Sequence, residues 1–182
     1  DTTDYLKSIP GFSAIRSGGT NGDPVLRGMF GSRINLRTNG GLMLGACPGR
    51  MDAPSSYISP ETYDQLTVIK GPQTVLWGPG ASAGTVLFER QPERFGELGT
   101  RLHASLLTGS NGRFDKVLDA AAGGEQGYLR FAGNQAQSDD YEDGDGDTVP
   151  SRWKKWNGDL AIGWTPDADT LLKLGKAAAA KQ

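Results

Sequence analysis

The chain of 182 residues holds 27 glycines, about twice the usual share, which argues against a helical bundle and for turn-rich β structure. Nineteen basic residues against 21 acidic ones leave a net charge of −2, so nothing points to a nucleic-acid partner. No run of about 18 apolar residues is present, which excludes a transmembrane helix but not a membrane, because barrel strands signal only by weak alternation.

The single cysteine, Cys47, excludes an internal disulfide, and an unpaired thiol would be unusual in an exported protein. The chain opens directly into structure at Asp1, as expected of a mature or trimmed chain. Thr3 to Ile9 is expected as a short amphipathic helix, capped by Thr3 or Asp4 and stopped by Pro10-Gly11. Phe12 to Ser17 alternates as a strand, Gly18 to Gly22 reads as a loop, and Val25–Phe30 and Ile34–Arg37 read as short strands around Gly31. Asn39-Gly40 is the strongest tight-turn dipeptide. Ser59 to Asp64 is a helix start, with Ser59 as N-cap, Pro60 in the first turn and Glu61 near the positive helix end.

Leu66 to Arg90 organises the first half. An apolar strand (Leu66–Ile69) breaks at Gly71-Pro72. One helical turn (Gln73–Trp77) and a glycine-rich loop follow, then a second strand (Thr85–Phe88). Pro72 suits a first helical position, and Gly78, Gly80 and Gly84 open backbone angles closed to other residues. Residues 1 to about 90 therefore read as one small domain with short helices on a mixed sheet.

After Arg90, Glu97–Thr108, Phe114–Ala122, Gly127–Ala136 and Trp153–Trp164 are strand-like runs separated by turn clusters. In the last, Trp156, Leu160, Ile162 and Trp164 share one face, and Asn157, Asp159, Ala161 and Gly163 the other. The two tryptophans lie about 26 Å apart along a strand, which suits the aromatic borders of a membrane band for a tilted strand. A half-buried strand of a soluble sheet has the same alternation. The tail from 176 to 182 carries no strand pattern, and its origin is uncertain.

No catalytic set is visible: His103 is the only histidine, and the loop 78–84 lacks the Lys-Ser/Thr of a phosphate loop. The acidic run from Asp139 to Asp147 fails the EF-hand pattern, with Thr148 where glycine is needed and Lys154 where glutamate is needed, so an exposed hairpin loop is expected. Cys47 and Met51 stand four apart. A thiolate with a thioether is a soft pair suited to Cu(I) rather than to Mg, Ca or Fe(III), although Cys and Met are also common core fillers. Met43 is a spare thioether.

The run Val68-Ile-Lys70-Gly71-Pro72, Trp77-Gly78 and Gly80-Ala-Ser-Ala-Gly84-Thr-Val86 resembles the end of the plug domain of TonB-dependent outer-membrane receptors. Leu26-Arg27-Gly28 with Arg33 is similar to a second plug signature, with Asn39-Gly40 in place of an Asp-Gly turn. The resemblance implies an α+β plug over residues 1–92, in which such arginines help hold the plug in the barrel. It implies antiparallel transmembrane β-barrel strands over 93–175, the start of an incomplete barrel. It also implies a location in the Gram-negative outer membrane, contact with outer-membrane lipid, and energy from the inner-membrane partner TonB. Leu44 to Gly80 is similar to the copper receptors of that family, whose plug carries Cys-x-x-x-Met facing outward, here Cys47 and Met51. That subgroup completes its site with a barrel His-x-Met, which this chain lacks. A siderophore or cobalamin receptor of the same fold and a soluble secreted β-rich binding module remain as alternatives. A hydrolase would need a nucleophile–base pair that is not found.

Overall fold

The computed structural model describes residues 1–45, 52–72, 75–79, 81–167 and 169–181. They form two compact units, Asp1–Arg90 and Gln91–Gln182.

The first unit opens with α1 (Thr2–Lys7). Its cap is Asp1, whose Oδ1 accepts from the Asp4 N–H at 2.9 Å. Thr3, a cap by sequence, is instead buried with Thr2. The Thr2 hydroxyl donates to the Ile58 carbonyl at 2.6 Å and the Thr3 hydroxyl to that of Gly22 at 2.8 Å. Both cross-link the helix to the domain below it, and this use of the hydroxyls outweighs a local cap. Arg16 closes the outer side, pairing with Asp1 at 2.5 Å and with Asp4.

The hydrogen bond from Arg16 is the main cause that holds the Asp4 carboxyl below the ordinary 3.8. A depressed carboxylate pKa stabilises the fold above 3.8 and loses that contribution as pH falls through the lower, folded-state value. An Asp4→Asn variant should therefore be less stable than the parent at neutral pH, with the gap closing in acid. Denaturant titrations across pH test this, and a gap that persists in acid would contradict it.

Strands β1 (Phe12–Arg16) and β2 (Gly22–Leu26) pair antiparallel from Phe12↔Leu26 to Arg16↔Gly22 as a separate two-stranded sheet. The second sheet is mixed. It contains β3 (Ile34–Thr38), β4 (Gly41–Leu42), β5 (Gln65–Lys70) and β6 (Gly84–Glu89) in the order β4-β3-β6-β5. β3 runs parallel to β6, while β5 and β4 are antiparallel to their neighbours. The β3–β4 turn is Asn39-Gly40, with φ of 48° and 83°, as the dipeptide predicts.

Central β6 is the most buried strand of this sheet. Val86 and Phe88 meet Leu6, Phe12, Leu26, Ile34, Leu36 and Ile58 in one core. Each such side chain, fully buried, contributes about 1.5–3 kcal/mol. The expected helix at Ser59–Asp64 shrinks to a 3₁₀ turn at Pro60–Thr62, and Ser59 makes no side-chain cap bond. Tyr63 is already extended (φ −116°, ψ 145°), because its ring packs on Phe88, 5.6 Å between centroids. Of the expected Gln73–Trp77 helix, Gln73 and Thr74 lie outside the described residues, and Gly78 N–H closes a turn onto the Val75 carbonyl at 3.0 Å.

The second unit is an antiparallel meander of β7 (Gly99–Thr108), β8 (Phe114–Gly124) and β9 (Gly127–Ser138), continued by β12 (Trp153–Trp164) and β13 (Leu172–Lys181). A small hairpin, β10 (Tyr141–Glu142) with β11 (Thr148–Val149), fills the β9–β12 connection. The acidic run forms its turn: Asp143 Oδ1 accepts from the Asp145 and Asp147 N–H groups, each at 3.0 Å. The expectation that 176–182 carries no strand is corrected. β13 pairs with β12 from Trp164↔Leu172 to Lys155↔Lys181, and Gln182 lies outside the described residues. Alanine has a weak strand preference, but the ladder is made by backbone groups that every non-proline residue carries, and the adjoining edge of β12 supplies the partners.

Residues in register sort the two faces. One row is Thr100, Ala122, Leu129, Ile162 and Leu174, and the next is Leu102, Ala120, Phe131, Leu160 and Lys176. This face is apolar and exposed, with Trp156 at 47 % and Trp164 at 53 %. The opposite face carries Arg101, His103, Asp115, Asp119, Arg130, Asn134, Asn157 and Asp159. An exposed apolar face backed by a polar one that encloses Asp119 and Arg130 is the reverse of a soluble sheet.

Candidate functional site

Cys47 and Met51 lie outside the described residues, as does Gly80. What is described is the frame on either side of 46–51. On the leading side, Met43 N–H donates to the Leu36 carbonyl at 2.8 Å, and Met43 packs against the core, so it serves there as a core filler. On the trailing side, Ser55 donates to the Gly22 carbonyl at 2.5 Å, Ser56 donates to Asn21 Oδ1, and the Ala53 N–H donates to the same oxygen at 3.4 Å. All of these groups are buried. The two sides meet: a Cβ on Gly45 would lie 3.4 Å from the Asp52 carbonyl oxygen and 3.6 Å from Pro54 Cδ. Beside this junction, burial and then the Asp52 carboxylate push the Tyr57 hydroxyl above its ordinary 10.0.

The signature residues divide into turns and contacts. Arg27-Gly28 was expected within a strand. It is instead a two-residue turn with φ of 51° and 78°, closed by Leu26 N–H to Met29 O at 2.8 Å and Met29 N–H to Leu26 O at 3.0 Å. Both residues are exposed, and so is Arg33 in the 3₁₀ turn Gly31–Arg33. Lys70 Nζ donates to the Pro10 carbonyl at 2.7 Å, tying the end of β5 to the start of the chain. Gly71, at φ 88°, turns the backbone into exposed Pro72 and donates its N–H to Ala83 O at 2.7 Å.

Trp77-Gly78-Pro79 is held from β3. Arg37 donates to the Trp77 carbonyl at 2.9 Å and its guanidinium lies 6.0 Å from the indole centroid. Asn35 donates to the carbonyls of Trp77 (3.0 Å) and Pro79 (3.2 Å). Gly84 faces the backbone of β5, and a Cβ there would lie 2.5 Å from the Ile69 carbonyl oxygen.

A third group was missed by sequence reasoning. In the second unit, Arg130 pairs with Asp119 through Nε at 3.0 Å and Nη2 at 2.6 Å, and its Nη1 lies 3.3 Å from Glu93. Arg101 pairs with Glu93 and lies 3.4 Å from Asp119. The quartet is electrically neutral, and Arg130 and Asp119 are almost fully enclosed. The only sequence signal was charged residues on the polar face of alternating strands. His103 stands opposite Asp119 in register but is exposed. Among the described residues, no group of three or more His, Cys, Asp or Glu is placed to hold a metal.

A plug-sized α+β unit followed by strands with an exposed apolar face defines the class of outer-membrane receptor. The TonB-dependent Receptor Plug Domain family matches residues 1–85. The chain is 78 % identical over its whole length to the structure of a copper transporter, OprC, with a TM-score of 0.93, and covers 28 % of that chain. It is 30 % identical over 141 residues to a hemin receptor of Yersinia enterocolitica, covering 77 % of this chain and 19 % of that protein. It is 35 % identical over 133 residues to the metal-pseudopaline receptor CntO of Pseudomonas aeruginosa, covering 68 % of this chain and 16 % of that protein. The chain belongs to the TonB-dependent receptor family, whose members reside in the outer membrane of Gram-negative bacteria. It spans less than a third of the length of each of these relatives.

Proposed function

We propose that the chain is the plug and the first barrel strands of a TonB-dependent receptor that binds and imports copper. The observation that carries this reading is the 78 % identity, over the entire chain, to a copper transporter. Cys47 and Met51 are the proposed ligands, because a thiolate and a thioether prefer Cu(I) to hard cations. Support for them is the frame beside 46–51, where Gly45 closes on Asp52 and Pro54 and the trailing side is buried and hydrogen-bonded through Ser55 and Ser56. The plug extends to about residue 92 and the barrel strands run on through β13, with Trp156, Leu160, Ile162 and Trp164 facing lipid. Arg27 and Arg33, exposed on the plug, are available to hold it in the barrel. Energy arrives from TonB, and the plug rearranges to let the ion pass. The task is transport rather than catalysis.

Copper content tests the reading. The full-length receptor in detergent, loaded with Cu(I) under reducing, anaerobic conditions and desalted, should hold about one ion per chain on a soft two-sulfur site completed by further ligands. The Cys47→Ala, Met51→Ala double variant should hold none. Equal copper in both, or none in either, would favour a siderophore or haem receptor of the same fold, a reading kept open by the hemin and metal-pseudopaline relatives.

A further inference from the structure

The exposed apolar face of the strand unit changes character at one end. Its last two rows in register are Lys116, Gln135 and Trp156, then Phe114, Gln137 and Lys154. Both lysines and Trp156 are exposed, while Phe114 and the two glutamines are half-buried. Neither lysine forms an ion pair among the described residues. Lys116 Nζ lies 4.9 Å from the Phe114 ring centroid, so its ammonium leans toward the strand end. The lysines stand two strands and two residues apart, about 12 Å between backbones, within reach of one headgroup through their flexible stems. The connections identify this end. Glu125-Gln126 alone joins β8 to β9 at the opposite end, while 139–152 joins β9 to β12 here. Outer-membrane barrels keep short turns on the periplasmic side and long loops outside, and outward tryptophans sit at the interface. Lys116, level with Trp156, and Lys154, one row beyond it, therefore stand at the headgroup layer of the outer leaflet. The acidic hairpin past the strand ends is turned on itself: Asp140 accepts from the Ser151 and Arg152 N–H groups, each at 2.7 Å, and Asp143 from those of Asp145 and Asp147.

We propose that Lys116 and Lys154, with Gln135 and Gln137 on the strand between them, form an outward-facing site for the phosphorylated sugar headgroup of an outer-leaflet glycolipid. The ammoniums make charge-assisted contacts to phosphate. The amides carry both donors and an acceptor, which suits sugar hydroxyls, and Trp156 borders the apolar rows that meet the acyl chains. Lys176, the other outward-facing lysine among the described residues, stands in the Leu160 row, away from this end. The site rests on β8, β9 and β12 facing lipid and is independent of copper.

Native mass spectrometry of the full-length, metal-free receptor in a non-ionic detergent tests it. Three lipids are titrated: diphosphorylated lipid A, lipid A stripped of both phosphates, and phosphatidylglycerol. The parent should bind the diphosphorylated form most tightly, and inorganic phosphate at matched concentration should not displace it. Lys116→Gln with Lys154→Gln should weaken that form by about fivefold for each lysine removed and leave the stripped form unchanged. Lys116→Arg with Lys154→Arg should bind like the parent, as should Lys176→Gln on the same face. A parent indifferent to the phosphates, or a Gln double variant that matches the parent, would overturn the site. So would equal weakening by Lys176→Gln, which would reduce the contact to diffuse charge. Phosphatidylglycerol bound as tightly as diphosphorylated lipid A, or displacement by inorganic phosphate, would overturn the glycolipid as its ligand. If the Gln double variant does not fold, the parent's two lipid A forms and the Arg variant decide the question.

Discussion

A Gly84→Ala variant will lose about 3 kcal/mol of stability in the plug unit, the upper end of what overpacking costs. A methyl group there would lie 2.5 Å from the Ile69 carbonyl oxygen and 3.0 Å from Leu26 Cδ2. The first of these is backbone in the paired strand β5, in register Lys70↔Gly84, and cannot rotate aside. The contrast is Gly28→Ala. That residue sits at φ 78° with nothing within 4 Å, so only left-handed strain is added, worth about 1–2 kcal/mol. Limited proteolysis of the folded receptor against denaturant reads both. Equal sensitivity of the two variants would show that β5 can move away from Gly84 and would refute the close-approach account.

Arg130→Ala will be the most damaging change in the strand unit, at about 3–5 kcal/mol, because truncating one partner of a buried pair leaves an uncompensated charge. Asp119 would keep only Arg101, at 3.4 Å, and Glu93 would share that same guanidinium. Removing the charges together reverses the logic. Arg130→Met with Asp119→Leu deletes a pair rather than breaking one, and should recover most of the loss. The temperature at which the detergent-solubilised receptor loses its compact electrophoretic form measures both. A double variant as unstable as Arg130→Ala would mean that packing volume, not charge, governs the site.

Features set by local chemistry were legible in the residues alone. The alternation in Trp153–Trp164 gave that strand its limits and its two faces. Asn39-Gly40 gave the hairpin turn its left-handed pair. Features set by residues distant in sequence were not legible. Thr3 is an ordinary cap until Gly22, nineteen positions away, accepts its hydroxyl. Gly84 looks like loop freedom, yet its role is to let β5 approach. The Glu93–Arg101–Asp119–Arg130 quartet joins three strands and the segment before them, and no spacing rule links its members. Arg27-Gly28 misled for the opposite reason: a short apolar run on both sides disguised a two-residue turn.

The parallel pairing of β3 with β6 governs how the plug forms. Ile34 meets Gly84 across a long intervening chain that includes β5, and closing such a loop costs entropy before any contact repays it. α1 and the β1–β2 pair are local and can assemble early. The core around Val86 and Phe88 cannot close until β6 is present. Until then Leu36, Ile58 and Leu26 have no central strand to cover them, so a plug interrupted before β6 would leave this apolar surface open to other chains.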